Sequence, residues 1–283
     1  MTGSDRFLVG CAQMRVTRDK RRNLAVAERM IADAARAGVR LVVLPEMFLW
    51  RGPEQDIAAA AEALDGPSAT RLAEAAARGG VTLVAGSFYE RDGSGARPFN
   101  TTVVFGPDGR RLGVYRKIHL FDVSIPDRVE IRESARMRAG AEVVCVDTEV
   151  GRVGLTICYD LRFPEFYRRL AFDGATLVCV PSAFTHATGA AHWEVLLRAR
   201  AVENQLYVLA PNQVGPTVDG PPVWGGTSIV DPWGAVLARA SDTEGLVTAE
   251  IDPAYQAGVR AGLPCLEHAR LSPGGEVKSR AAG

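Results

Sequence analysis

Lysine is almost missing from this chain of 283 residues: only Lys20, Lys117 and Lys278 stand among its 33 lysines and arginines. A chain that uses arginine nearly everywhere has kept lysine at 117, directly after Arg116. The two cations differ, since ammonium is a compact, rotatable charge whose pKa can shift and guanidinium is a planar fork that stays charged. The plainer reading of Lys117 is a solvated surface cation. Net charge is missing too, because 33 acidic residues balance the 33 basic ones. That removes the basic footprint expected of a nucleic-acid or anionic-lipid binder, so binding is expected to rest on a local pocket. No apolar run approaches membrane-spanning length, and the segment from Met1 to Arg6 leads into a short strand without the apolar region of a signal peptide. Cysteines are few and odd in number: Cys11, Cys145, Cys158, Cys179 and Cys265 lack metal-ligand spacing, which suggests reduced thiols and a cytoplasmic protein. A Gly-x-Gly-x-x-Gly after the first strand is also lacking, which argues against a Rossmann nucleotide site.

What is present is a strand design used three times. Val153 to Ile157 reads as a buried strand that stops at Cys158, followed by a polar elbow and a helix primed by Phe163-Pro164-Glu165. Val39 to Leu44 is an apolar strand that delivers Glu46, and Arg111 to Tyr115 delivers Lys117. Sites in open α/β sheets form outside the carboxyl ends of strands, so Glu46, Lys117 and Cys158 are a candidate base, cation and nucleophile. A cysteine at such a strand end could equally be an inert core thiol.

The periodicity between these points predicts helices over Arg21–Ala37, Ile57–Leu64, Ala69–Arg78, Glu165–Asp173 and His192–Asn204, the last capped by Thr188-Gly189-Ala190-Ala191. Strands are expected at Phe7–Met14, Val81–Tyr89, Asn100–Phe105, Glu142–Asp147, Thr176–Val180, Leu206–Ala210, Thr227–Val230 and Leu246–Ile251, with a hairpin turn at Gly106-Pro107-Asp108-Gly109. Residues between Lys117 and Gly140 read as a long charged loop. The segment from Pro181 to His186 continues a strand end and is expected to line the site with Phe184 and Thr185. His186 and His192 alone do not make a metal site, which needs three or four convergent ligands. The absence of a linker argues for one domain over residues 1–271, followed by a tail, 272–283, that is mobile or wraps a partner subunit.

Three segments carry a resemblance. Leu44-Pro45-Glu46-Met47-Phe48, Tyr115 to Asp122 and Gly154 to Glu165 resemble the glutamate, lysine and cysteine motifs of the nitrilase, or carbon-nitrogen hydrolase, superfamily, and Thr188 to Ala201 resembles its Nit branch. The resemblance implies an α/β fold, a four-layer-forming αββα sandwich in a single domain, whose protomers pair into a homodimer or higher homo-oligomer near the Cys158 elbow. It implies an amidase that needs no cofactor and no metal and that cleaves a small carboxylate-bearing amide through a cysteine thioester, releasing ammonia, as an omega-amidase does. A carbamoylase, a nitrilase, an aliphatic amidase and a homologue without catalysis are the alternatives. Glu133 matches a second glutamate that the family places beside the lysine. Tyr159 is expected to offer its backbone N–H to the oxyanion, Arg162 to clamp a substrate carboxylate, and His192 to touch substrate. Gly226 stands where the branch usually has histidine, and it bears on substrate choice if that histidine shapes the pocket.

Overall fold

Period-two alternation of apolar side chains sets the layers. In β1 (Phe7–Gln13) Val9 and Cys11 enter one buried cluster and Ala12 another, and in β2 (Val39–Val43) Leu41 and Val43 part from Val42 in the same way. The computed structural model describes residues 6–217 and 220–271. Between these two parallel strands runs α1 (Lys20–Arg36), N-capped by the Asp19 carboxylate and burying Leu24, Ala27, Met30, Ile31 and Ala34 at helical spacing. Then come a 3-10 turn at Glu54–Asp56, the single-turn α2 (Ile57–Ala60), and α3 (Pro67–Gly79), which opens on proline and ends at a left-handed Gly80. Next follow β3 (Thr82–Val84), β4 (Phe88–Glu90), β5 (Phe99–Phe105) and β6 (Arg111–Arg116). A small hairpin, β7 (Asp122–Ile125) with β8 (Val129–Arg132), precedes the second half.

That half runs through β9 (Cys145–Thr148), β10 (Gly151–Leu155), α4 (Pro164–Phe172), β11 (Leu177–Cys179), α5 (His186–Asn204) and β12 (Tyr207–Ala210). The short pair β13 (Val214–Gly215) and β14 (Val223–Trp224) follows, then β15 (Ser228–Val230), β16 (Val236–Arg239), β17 (Gly245–Ile251), α6 (Pro253–Gly262) and α7 (Cys265–His268). The first sheet has the order β17-β1-β2-β3-β5-β4, with β6 also on β5; the second has the order β16-β15-β12-β11-β10-β9. Each holds three central parallel strands with antiparallel neighbours at their sides. The sheets pack face to face: Val9, Cys11, Leu41 and Val43 share one core with Val153, Leu155, Leu177 and Leu209. Helices α1 and α3 cover the outside of the first sheet, and α4 and α5 add Phe166, Leu170, Trp193 and Leu197 to the core around the second. This is the expected αββα sandwich.

Several local expectations need correction. Val81–Tyr89 is two strands, because Gly86 turns at φ +49° and a Cβ there would strike the Pro45 carbonyl. Helix α5 begins at His186, with Thr185 as its N-cap, so residues 188–191 lie inside the helix; Gly189 sits there because Trp224 occupies the space a side chain would need. The segment after Lys117 is not a plain loop, since β7 and β8 pair within it and Glu133 opens a 3-10 turn. Ile57–Leu64 contributes one helical turn, and β16 and α6 were not anticipated. The tail 272–283 lies outside the described residues. Among those described, no helix is long and apolar enough to cross a membrane, and all five cysteines are free.

Candidate active site

Three strand ends meet where the sheets face each other. After β2, Leu44 still donates to Val84 O, but Pro45 has no N–H to continue the ladder, and the chain turns through Glu46 and Met47, the latter at φ +50°. Gln213 Nε2 pins the turn by donating to Glu46 O at 2.7 Å. After β6, Lys117 is held by its own backbone, donating to Asn100 O at 2.9 Å and accepting from Gly140 N at 2.8 Å. After β10, Cys158 opens a 3-10 turn at φ +47°, with its N–H on Pro181 O at 2.9 Å. A non-glycine residue in the left-handed region carries backbone strain that its surroundings must enforce. Asp160 does so here: its buried carboxylate accepts from Tyr115 Oη at 2.6 Å, Ile157 N at 2.8 Å and His119 N at 3.2 Å, and lies 2.7 Å from His119 Nδ1.

Lys117 is buried, and its Nζ lies 2.9 Å from Glu46 Oε1, 2.9 Å from Glu133 Oε2 and 3.2 Å from Glu133 Oε1. Asn100 Nδ2 bridges the two carboxylates, donating to Glu46 Oε1 at 2.9 Å and Glu133 Oε1 at 3.2 Å. The backbone completes the shell, with Ala183 N donating to Glu46 Oε2 at 2.8 Å and Phe121 N to Glu133 Oε2 at 2.6 Å. The Cys158 thiol lines the same cavity as Glu46 and Lys117, near enough for both charges to act on it.

Electrostatics sort the protons. Burial pushes the Glu46 carboxyl up, but Lys117, the Cys158 thiol and the Ala183 N–H together hold it below the usual carboxylate range. Burial alone would lower the Lys117 ammonium, yet Glu133 and Glu46 carry it well above an ordinary lysine. Burial and then the Glu46 charge push the Cys158 thiol well up, against smaller opposing effects of Lys117 and the Ala183 N–H. The resting site therefore holds a carboxylate, an ammonium and a neutral thiol. Such a thiol becomes a nucleophile only as the base removes its proton during attack.

The three groups and Glu133 open onto a cavity of about 240 Å³. Of the other candidates from sequence, Tyr159, Arg162, Phe184 and Thr185 line it. His192 does not. It is exposed on α5 with Nδ1 3.2 Å from Arg162 Nη1, so it touches the arginine rather than the cavity, because α5 starts six residues earlier than expected. Gly226 is likewise outside the lining: at φ +65° it packs beside Trp224 and Trp193, and its carbonyl accepts from Trp193 Nε1 at 2.8 Å. The missing histidine thus bears on that packing before it bears on substrate. Among the described residues no three His, Cys, Asp or Glu side chains converge as metal ligands would.

With this geometry in place, the carbon-nitrogen hydrolase family model matches residues 8–261. The chain belongs to the carbon-nitrogen hydrolase family. This hydrolase is 41% identical over 266 residues to the chloroplastic omega-amidase of Arabidopsis thaliana, an alignment covering 92% of this chain and 71% of that one. It is 41% identical over 265 residues to the deaminated glutathione amidase of a Synechocystis strain, covering 93% and 97%. The crystal structure of Nit3 from Saccharomyces cerevisiae, described as a member of branch 10 of the nitrilase superfamily, matches it with a TM-score of 0.84 at 31% identity, covering 93% of this chain and 96% of that one. The chain is an amidohydrolase acting on non-peptide carbon–nitrogen bonds.

Reading the sequence missed Asn100 and Asp160 as contributors to the site, and Arg51 in the cavity lining. Asn100 had a signal: it is a polar residue at the start of the apolar run to Phe105. Asp160 was visible within the cysteine segment, but its four contacts are set by tertiary packing.

Proposed function

We propose that this hydrolase cleaves a small carboxylate-bearing amide through a Cys158 thioester, as an omega-amidase would. Cys158 Sγ attacks the amide carbon while Glu46 takes the thiol proton. Lys117 has three donors and two carboxylates to serve, Glu133 through both of its oxygens; with one donor shared between those two oxygens, another can meet the oxyanion together with the Tyr159 N–H. In the turn that begins at Cys158, the N–H groups of Cys158 and Asp160 are spent on Pro181 O and Ile157 O, which leaves Tyr159 to serve a ligand. Glu46 returns the proton to nitrogen, ammonia leaves, and a water deprotonated by Glu46 releases the acid. Glu133 orients Lys117. Arg162, its guanidinium 5.1 Å above the Phe184 ring, takes the substrate carboxylate.

The observation that carries this reading is the buried ammonium 2.9 Å from each of two carboxylates, beside a thiol on a strained elbow. The named activities of the relatives support the substrate class. Free thiols fit a cytoplasmic location. The same reading pairs protomers into a homodimer around the Cys158 elbow and α4; α5, beside α4, leaves the apolar side chains of Val195 and Val202 exposed. The test is ammonia release from a panel of small amides, ureido acids and nitriles, with intact-mass detection of the acyl-enzyme. Cys158→Ala is expected to lose at least about 1000-fold in turnover, as removal of a covalent nucleophile does. Full turnover by that variant would overturn the mechanism.

A further inference from the structure

Lys117 and Cys158 leave different sheets, β6 in the first and β10 in the second, so something outside the strands must set one against the other. The two segments are joined beside those residues. Tyr115, two residues before Lys117, donates from Oη to Asp160 Oδ2 at 2.6 Å, and Ile118, directly after it, donates its N–H to the same hydroxyl at 3.2 Å. His119 donates its backbone N–H to Asp160 Oδ1 at 3.2 Å. Asp160 stands two residues after Cys158 and also accepts from Ile157 N, one residue before it, at 2.8 Å. Both flanks of the lysine and both flanks of the cysteine therefore end on one buried carboxylate.

The His119 side chain adds a second tie. Its Nδ1 lies 2.7 Å from Asp160 Oδ1, and a carboxylate can only accept, so Nδ1 carries the proton. Its ring lies flat on Phe163, centroids 3.6 Å apart and planes at 9°, and Phe163 closes the elbow by donating its N–H to Asp160 O at 3.1 Å. His119 is outside the cavity lining. It is also the member of the clasp whose side chain can be changed without stranding a backbone group: the Tyr115 hydroxyl serves Ile118 N and the Asp160 carboxylate serves Ile157 N, whereas the His119 ring serves only side chains.

Resting on the amidase reading above, we propose that His119 is a positioning residue that sets the spacing between the two oxyanion donors, the Lys117 ammonium and the Tyr159 N–H. Lys117 lies two residues before His119 on one side of the clasp, and Tyr159 lies between Cys158 and Asp160 on the other. His119 touches neither substrate nor a reacting atom and acts through Asp160 and Phe163. Two donors that must converge on one oxygen matter most when that oxygen carries the developing charge, so the effect falls on kcat rather than on KM.

The test separates the bond from the stack. An asparagine amide nitrogen stands as many bonds from the backbone as the histidine Nδ1, so His119→Asn keeps a donor for Asp160 and loses the ring, while His119→Phe keeps the ring and loses the donor. Kinetics are read as ammonia release from the small amide that the wild type turns over fastest, with kcat counted per folded molecule from circular dichroism. His119→Phe is expected to lower kcat about 10- to 100-fold with KM changed by less than about 3-fold, the scale of a catalytic group displaced by a fraction of an ångström. His119→Asn is expected to stay within about 5-fold of the wild type, because the charge-assisted bond survives. Should His119→Phe not fold, His119→Ala, which removes ring and donor without adding bulk, takes its place in the comparison. Wild-type kcat per folded molecule without the donor, a rise in KM alone, or an equal loss in His119→Asn would overturn the assignment and leave the amidase reading standing. A wild type that hydrolyses no amide defeats that reading, and this assignment with it.

Discussion

Asn100 donates to Glu46 Oε1 at 2.9 Å, and the same amide nitrogen reaches Glu133 at 3.2 Å while its own Oδ1 is buried without a partner among the described residues. An amide that leaves its acceptor unsatisfied to give its donors to carboxylates is oriented by negative charge on both. Asn100→Asp would place a third carboxylate against the pair, and like charges in a buried site force one group to hold a proton. The expected outcome is a fall in kcat of at least about 100-fold, the scale of misplaced catalytic groups, read by steady-state ammonia release. A folded, fully active Asn100→Asp would show that the bridge is incidental.

The strand-end logic reached Glu46, Lys117 and Cys158 because each lies within two residues of an apolar run, and the alternation that defines such runs survives in sequence. What the runs deliver beyond their ends was not legible. Glu133 sits on a 3-10 turn after a hairpin that local periodicity does not announce, and its position came from the family resemblance alone. His192 was misplaced with the start of α5, where Thr188-Gly189-Ala190-Ala191 reads as a cap yet lies inside the helix, Gly189 making room for Trp224. Rarity of lysine was suggestive rather than decisive: Lys20, equally rare, spends its charge on Glu62 at 2.7 Å and on Ala60 O.

Glu133 touches no reacting atom in the proposed chemistry, so its removal separates positioning from proton transfer. Glu133→Gln keeps the shape but leaves Lys117 one carboxylate, Glu46, which then draws the ammonium toward itself. Turnover is expected to fall about 10- to 100-fold with a smaller change in KM, as for residues that orient a catalytic group. If Glu133→Gln instead raises KM alone, Glu133 is a substrate contact and not a positioning residue.

The proton assignment sets a pH profile. The active resting form needs Glu46 ionised and Lys117 charged. Glu46 is held below its reference value of 4.5, so activity persists as pH falls to that value and is lost only below it. Lys117 is held well above 10.5 and Cys158 well above 9.0, so no alkaline limb from either is expected below about pH 9. Stability follows the same signs. The Glu46 contribution is present above its unfolded pKa and lost as pH falls through the folded one, while that of Lys117 is present below 10.5 and lost as pH rises through its raised folded value. kcat/KM for an uncharged amide should thus be flat from about pH 5 to 9, and alkylation of resting Cys158 at pH 7 should be slow. An acid limb centred near pH 6.5, or rapid alkylation at neutral pH, would contradict a neutral resting thiol.

The elbow's strain gives the last prediction. Tyr115 Oη does two jobs, donating to Asp160 at 2.6 Å and accepting from Ile118 N at 3.2 Å, and Asp160 in turn caps Ile157 N, the residue before the nucleophile. Tyr115→Phe removes only the hydroxyl, which leaves a buried carboxylate one donor short and a backbone N–H without its acceptor. The orphaned N–H costs about 1–3 kcal/mol and the carboxylate, which keeps its other donors, about 1 kcal/mol, so destabilisation of about 2–4 kcal/mol is expected in urea unfolding with an unchanged slope. Because Asp160 keeps its contacts to Ile157 and His119, the elbow persists with less constraint, and kcat is expected to fall further than the loss of folded protein accounts for. A variant destabilised by that amount whose folded fraction turns over at the wild-type rate would mean that Cys158 holds its φ of +47° without help from the Tyr115–Asp160 clasp.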